Sequence, residues 1–249
     1  RTDEFSIDAQ PYYSVGLSFV PTKAFDFLRG NDVLNYAKIT ASYARVGNSS
    51  AIRTYGTDEV TGLIPVGFPY TVAAFAANRN PVDPNIIPEI HNNLEGSIQL
   101  GFFKDRISLG AAVFKTEVDD LITNATTSSA SGLSTLLTNV GDLTNKGYEL
   151  DLEIVPLKSK DFEWRLSGSY STYKSEVTAL EGGVDRINML AYGTPNVGIY
   201  AKVGEQFPLI MGSAYQRDPQ GRIIVGADGT PLVNSELQVL GKVNPDYIL

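Results

Sequence analysis

Between Gly147 and Tyr170 the chain reads GYELDLEIVPLKSKDFEWRLSGSY, and alternate residues fall into two chemical classes. Tyr148, Leu150, Leu152 and Ile154 alternate with Gly147, Glu149, Asp151 and Glu153. After PLKSKD the pattern resumes, with Phe162, Trp164, Leu166, Gly168 and Tyr170 set against Glu163, Arg165, Ser167 and Ser169. A period of two places one set on each side of a β-strand, so the stretch reads as two strands joined by a short turn. Alternation by itself leaves two folds open. In a soluble sandwich the apolar face points into a core, whereas in a membrane barrel it points out into lipid. Glu149, Asp151 and Glu153 limit the other face: three successive carboxylates cannot be buried dry, so that face meets bulk water or a wet lumen.

The rest of the chain extends the pattern. Glycine occurs 23 times, Tyr and Phe contribute 13 and 11 residues, and helix-period stretches are scarce. Strands are expected over Tyr12–Val20, Tyr36–Val46, Asn93–Phe103, Arg106–Thr116, Lys146–Val155 and Phe162–Lys174, with more within Val197–Tyr215. Asp228-Gly229 between two apolar runs predicts a hairpin over Arg222–Val233, preceded by a turn at RDPQG, Arg217–Gly221. Several of these strands run to about ten residues, the length a tilted strand needs to cross a bilayer, against about 5–6 in soluble sheets. Phe103–Arg106 and PLKSKD are minimal connections, while Gly47–Asn92 and Glu117–Asn145 read as long excursions. Short turns at one end and long loops at the other suit an outer-membrane barrel. Trp164 and Tyr170, with Tyr12, Tyr13, Tyr43, Phe102 and Phe103, are candidates for its aromatic girdles, although aromatics at strand ends also close soluble cores.

Composition excludes several classes. The 249 residues carry 20 Lys plus Arg against 28 Asp plus Glu, a formal net charge of −8 that disfavours nucleic acid as a partner. With no Cys, disulfides and thiolate metal sites are absent. The longest apolar run, near VAAFAA (Val72–Ala77), is far too short for a spanning helix. The sequence starts RTDEF and finishes NPDYIL, which reads as a piece of a longer protein. Six to eight strands do not close a wide barrel alone, so the expectation is all-β: part of a barrel wall.

Four segments, in order, resemble the barrel of the SusC/RagA family of TonB-dependent outer-membrane transporters of Bacteroidetes. YAKITASYARVGNSS ends in Gly47-Asn48. The segment Asn80–Ile122 carries Asn80, Pro81, Pro88, Glu89, Asn93, Glu95 and Gly96. The strongest likeness is Asn139, Gly141, Leu143, Asn145, Lys146, Gly147 and Glu149, followed by Asp161, Phe162 and Trp164. The last, from Gly204, ends at Asn244-Pro245-Asp246. The resemblance covers about Tyr12 to Ile248. It implies a wall segment of a 22-stranded antiparallel transmembrane barrel, with residues 1–249 lying in one barrel domain and the plug, TonB box and closing strands elsewhere. It implies import of an oligosaccharide or peptide, dependence on TonB, and a SusD-like surface lipoprotein partner. The long loops are then extracellular and the short turns periplasmic. A TonB-dependent metal-chelate receptor, a soluble carbohydrate-binding or adhesin module and a secreted hydrolase are the alternatives.

No catalytic constellation stands out, and neither a metal nor a cofactor is expected. His91 is the sole histidine, in a stretch that reads as a polar loop, where a solvated or hydrogen-bonded role is the simpler one. Glu149, Asp151 and Glu153 have the look of hydrolase acids, but alternation explains their spacing, and with Arg165 they are expected to face the lumen. Tyr148, Leu150, Leu152, Ile154, Trp164 and Leu166 are expected to face lipid. The oxygen-rich turns of DPQGRIIVGADG lack the spacing of a calcium loop. Asn48-Ser49-Ser50 and Asn124-Ala125-Thr126 match a glycosylation pattern that loop polarity explains equally. In the loop Arg53–Asn80, Tyr55, Phe68 and Tyr70 are the candidates for stacking on a sugar or packing on a partner.

Overall fold

The computed structural model describes residues 11–52, 57, 61–65, 73–77, 80–191 and 197–243. In chain order the strands are β1 (Tyr13–Phe19), β2 (Leu34–Asn48), β3 (Thr61–Pro65), β4 (Ala73–Ala77), β5 (Glu89–Phe102), β6 (Ile107–Asp119), β7 (Ile122–Thr126), β8 (Thr135–Asn139), β9 (Gly141–Lys158), β10 (Glu163–Leu180), β11 (Arg186–Ala191), β12 (Val197–Lys202), β13 (Leu209–Gly212) and β14 (Gln238–Lys242). A one-turn helix, α1 (Pro21–Ala24), follows β1. β1, β2, β5, β6, β9 and β10 form one antiparallel sheet in that order, matching the six strands expected from alternation. β11 to β14 form a second sheet, and β3–β4 and β7–β8 are two-stranded ribbons.

The register of the main sheet places like against like. Ile107, Leu109, Ala111 and Val113 of β6 stand opposite Ile154, Leu152, Leu150 and Tyr148 of β9. On the other face Ser108, Gly110 and Ala112 oppose Glu153, Asp151 and Glu149. The same segregation continues through β5, β2 and β1, where Leu100, Ile98 and Gly96 meet Ala37, Ile39 and Ala41, and these last two meet Phe19 and Leu17. A slip of one residue in any strand would turn its apolar set to the polar side.

The long connections differ from expectation in two ways. β2 runs on to Asn48, β5 begins at Glu89, β6 reaches Asp119 and β9 begins at Gly141, so each excursion is shorter than the hydropathy pattern suggested. Cross-strand pairing persists there although the apolar alternation has faded: Gly47 pairs with Ile90, and Glu117 with Thr144. The excursions also hold paired structure of their own in β3–β4 and β7–β8, whose five-residue strands are too short to show a clear alternation. His91 consequently lies in a strand, opposite Val46 and Val118, rather than in a loop. The strands expected within Val197–Tyr215 are β12 and β13. The Arg222–Val233 hairpin forms, with Val225 opposite Pro231, and Tyr215–Arg217 pairs with both of its arms. Gln216 donates its backbone N–H to Leu232, Leu232 donates to Ile224 and Ile224 donates to Gln216, with isolated bridges replacing a continuous ladder. Its turn signals act as expected: Asp218 accepts from the backbone of Gln220 and Arg222, and Gly229 takes φ 79°.

The buried clusters sit at the long-loop end. Val118, Leu143 and Val177, at the loop ends of β6, β9 and β10, pack with Leu180 and Ala201, and Ile187, Met189 and Phe207 close over them. By alternation the first three residues continue the polar face of the sheet. The segment after β10 therefore folds over that face at the loop end. Ile52, Ile86 and Ile122 join the first two excursions in a second cluster. Tyr200, Leu209 and Met211 form a third, within the second sheet.

Candidate functional site

The two faces of the main sheet have opposite surroundings. The apolar face has no covering layer among the described residues: Leu17 is 74% exposed and Val113 62%, and Leu94, Leu150, Leu152 and Leu166 are exposed as well. Burying such residues is worth about 1.5–3 kcal/mol each, so a six-stranded surface of this kind calls for an apolar environment. Tyr148, Leu150, Leu152, Ile154 and Leu166 all lie on it, in register with β6 and β10. Trp164 shares it through a bulge that brings Leu157 opposite. From Tyr148 to Leu157 the apolar stretch of β9 spans roughly 23 Å along a normal tilted near 40°, close to the height of a barrel's lipid-facing band. Aromatics gather at both ends. The loop end has Tyr13 on Tyr43 and Tyr148 on Tyr170, with centroids 6.1 and 5.9 Å apart. The turn end has Phe19 on Phe25, Phe25 on Phe27, and Phe102 on Phe103.

Glu149, Asp151, Glu153 and Arg165 lie on the polar face. Arg165 bridges Glu153 at 3.0 Å and Glu163 at 2.8 Å, and the Ser169 hydroxyl donates to Asp151 at 2.7 Å. An open groove of about 450 Å³ runs over this surface, lined by Gln99, Gly110, Asp151, Glu153, Ser167 and Ser169 among others. Small residues form its floor and charge lines it, which suits passage of a hydrated solute better than a fixed reacting geometry. No group of three or more His, Asp or Glu side chains able to hold a metal ion occurs among the described residues. Tyr55, Phe68 and Tyr70 lie outside the described residues.

Several motif residues come together at the base of the loops. Glu89, only 6% exposed, accepts from the Asn48 side-chain amide, from the Ile122 backbone N–H at 3.0 Å, and pairs with His91 Nε2 at 3.0 Å. Asn139 donates to the carbonyls of Ile87 and Asp120 at 2.9 and 2.7 Å and accepts from the Ile87 N–H at 2.9 Å. Asn48, Glu89 and Asn139 thus tie the first two excursions to the rim of the sheet. All three fall inside the expected excursions, and in the sequence only their place in the family-like segments marked them. Asp120, at φ 58°, has its carboxyl pushed upward, first by burial and then by Asp142, Asp119 and Glu181.

Residues 1–221 match the profile of the family described as TonB dependent receptor-like, β-barrel. The TonB-dependent receptor P26 of Formosa agariphila is 26% identical over 247 residues, covering 89% of this chain and 24% of that protein. The TonB-dependent receptor SusC of Bacteroides thetaiotaomicron is 25% identical over 171 residues, covering 66% of this chain and 17% of SusC. Among solved structures, the RagAB peptide transporter superposes with a TM-score of 0.68 at 20% identity, covering 92% of this chain and 25% of the matched chain. The chain spans about a quarter or less of the length of these relatives.

Proposed function

The chain belongs to the TonB-dependent receptor-like β-barrel family of the outer membrane, and on that premise we propose that it is a stretch of wall in a SusC/RagA-type importer. The whole of it lies in one barrel domain. The apolar face of β1, β2, β5, β6, β9 and β10 meets lipid, and Glu149, Asp151, Glu153 and Arg165 line a wet lumen. The loop base held by Glu89 and Asn139 is extracellular, and the turns at Phe103–Arg106 and Ser159–Phe162 are periplasmic. The cargo is an oligosaccharide or a peptide, bound and passed inward without chemistry under TonB control. A SusD-like surface lipoprotein caps the loop end, where Tyr55, Phe68 and Tyr70 belong to the surface offered to cargo or cap. The observation that carries this reading is the inversion of the sheet: its apolar face is uncovered, while the buried clusters lie on the polar side and among the loops.

Single-cysteine variants of the full-length protein in lipid bilayers test the orientation. Cysteine at Leu150 should react with a membrane-soluble maleimide, and cysteine at Asp151 with a charged, water-soluble one. Equal labelling of both by the water-soluble reagent overturns the barrel reading. Co-purification of a surface lipoprotein, and binding of oligosaccharide against peptide pools to that complex, tests partner and cargo.

A further inference from the structure

Reading along the hydrogen-bonded row at the loop end of the main sheet, Val15 is opposite Tyr43, Tyr43 opposite Leu94, Leu94 opposite Lys115, Lys115 opposite Lys146 and Lys146 opposite Lys174. Three lysines therefore stand side by side on β6, β9 and β10, across roughly 10 Å. They share the apolar face, one step beyond Tyr148 and Val113. Like charges directly opposite one another destabilise a sheet unless something answers them. Glu117 pairs with Lys115, and Glu176 with Lys174 at 3.0 Å. Among the described residues no carboxylate lies within ion-pairing distance of Lys146, the middle of the row.

Directly below, the same face is hollowed. A groove of about 620 Å³ is lined by Ala41, Leu94, Gly96, Val113 and Tyr148, with Lys115 and Lys146 at its rim; Glu95 also borders it, but by register belongs to the opposite, polar face. Gly96 opens it: a Cβ built there would meet only Val113, at 3.9 Å. An apolar trench ending in a row of ammonium groups fits one kind of occupant, an amphiphile with a long acyl chain and an anionic headgroup. Three lysines across this span suit the several acceptor oxygens of a phosphate.

We propose that the trench and the Lys115–Lys146–Lys174 row form a binding site on the outer wall for a membrane lipid with a phosphate headgroup. The acyl chain lies along Ala41, Gly96 and Val113, and the phosphate sits over Lys146 between the flanking lysines. This rests on the reading above, which turns this face to lipid and puts its loop end at the outer leaflet. A lipid held there fixes the wall at a set depth and clamps β6, β9 and β10 just beneath the loop base.

The test uses the full-length protein in phosphatidylcholine nanodiscs containing a small fraction of phosphatidic acid, with retained lipids read by native mass spectrometry. The wild type should retain phosphatidic acid over phosphatidylcholine, and each lysine removed should lower that preference about fivefold. The variants are Lys146→Gln alone and Lys115→Gln/Lys146→Gln/Lys174→Gln, with Lys38→Gln on the opposite face as a control that changes nothing. Gly96→Leu, which fills the trench and spares the lysines, should also reduce retention. Unchanged preference in the triple variant or in Gly96→Leu overturns the site. Displacement of the lipid by inorganic phosphate at equal concentration shows a free-anion site and overturns it as well. A wild type that enters the nanodiscs without preference overturns the lipid site alone. One that does not enter them overturns the barrel reading and the site together.

Discussion

Glu89 shows how a single side chain can serve three segments. Its buried carboxylate holds Asn48 at the end of β2, His91 on its own strand and the Ile122 N–H at the start of β7. Glu89→Ala strands a buried backbone donor and should cost about 2–4 kcal/mol, while Glu89→Gln keeps much of the network and costs less. Thermal unfolding of the full-length protein in detergent measures both. Asp120 acts in the opposite sense. Its folded carboxyl titrates above the ordinary value, so its contribution is fully present below the unfolded pKa and is lost as pH rises through the folded one. Asp120→Asn tolerates the same positive φ and should stabilise at neutral pH by less than about 1 kcal/mol, with no gain in acid. Melting the variant and the parent at pH 4 and pH 7 checks the sign. Gly147 is required by close approach: a Cβ there would run into the Thr172 carbonyl, the Phe114 ring and Tyr173. Gly147→Ala should destabilise by about 1–3 kcal/mol. The Asn145-Lys146-Gly147 motif is thereby accounted for residue by residue, with Asn145 accepting from Ser175, Lys146 on the lysine row and Gly147 yielding to two aromatics.

At the scale of elements, the short connection between β5 and β6 carries backbone strain that the sequence does not announce. Phe103, Lys104 and Asp105 all take positive φ, at 54°, 59° and 60°, between β5 and β6. A left-handed conformation costs an L-residue roughly 1–2 kcal/mol, and glycine avoids much of it. Lys104→Gly should therefore raise stability by about 0.5–1 kcal/mol, read as a higher unfolding midpoint; a lower midpoint would show that the Lys104–Asp32 contact matters more. The second turn, after β9, is closed by Ser159, which accepts and donates across to Phe162. Its neighbouring bulge lets Leu157 join Trp164 on the apolar face despite the change of parity along β9. Strict alternation would have put Leu157 on the polar side, so here pairing overrides periodicity.

For the molecule as a whole, the decisive property is which side of the sheet is covered. If the apolar face meets lipid, Leu152→Arg near the middle of the band should cost about 2–4 kcal/mol of stability in a bilayer, while Asp151→Arg beside it should be tolerated. Urea titration of the full-length protein folded into vesicles distinguishes them, and equal effects would count against the inverted arrangement. The sequence alone determined the six strands of the main sheet and their two faces, because a period of two assigns every side chain to a side and the register that pairs like with like is the one that avoids burying carboxylates. Its ordered motifs carry the likeness to the barrel family without any knowledge of packing. Only the tertiary structure decided how far the strands run past their apolar stretches, what Asn48, Glu89 and Asn139 hold together, and that Lys115, Lys146 and Lys174 form a single row. Those facts depend on cross-strand register and on contacts between segments tens of residues apart, and no local pattern along the chain encodes them.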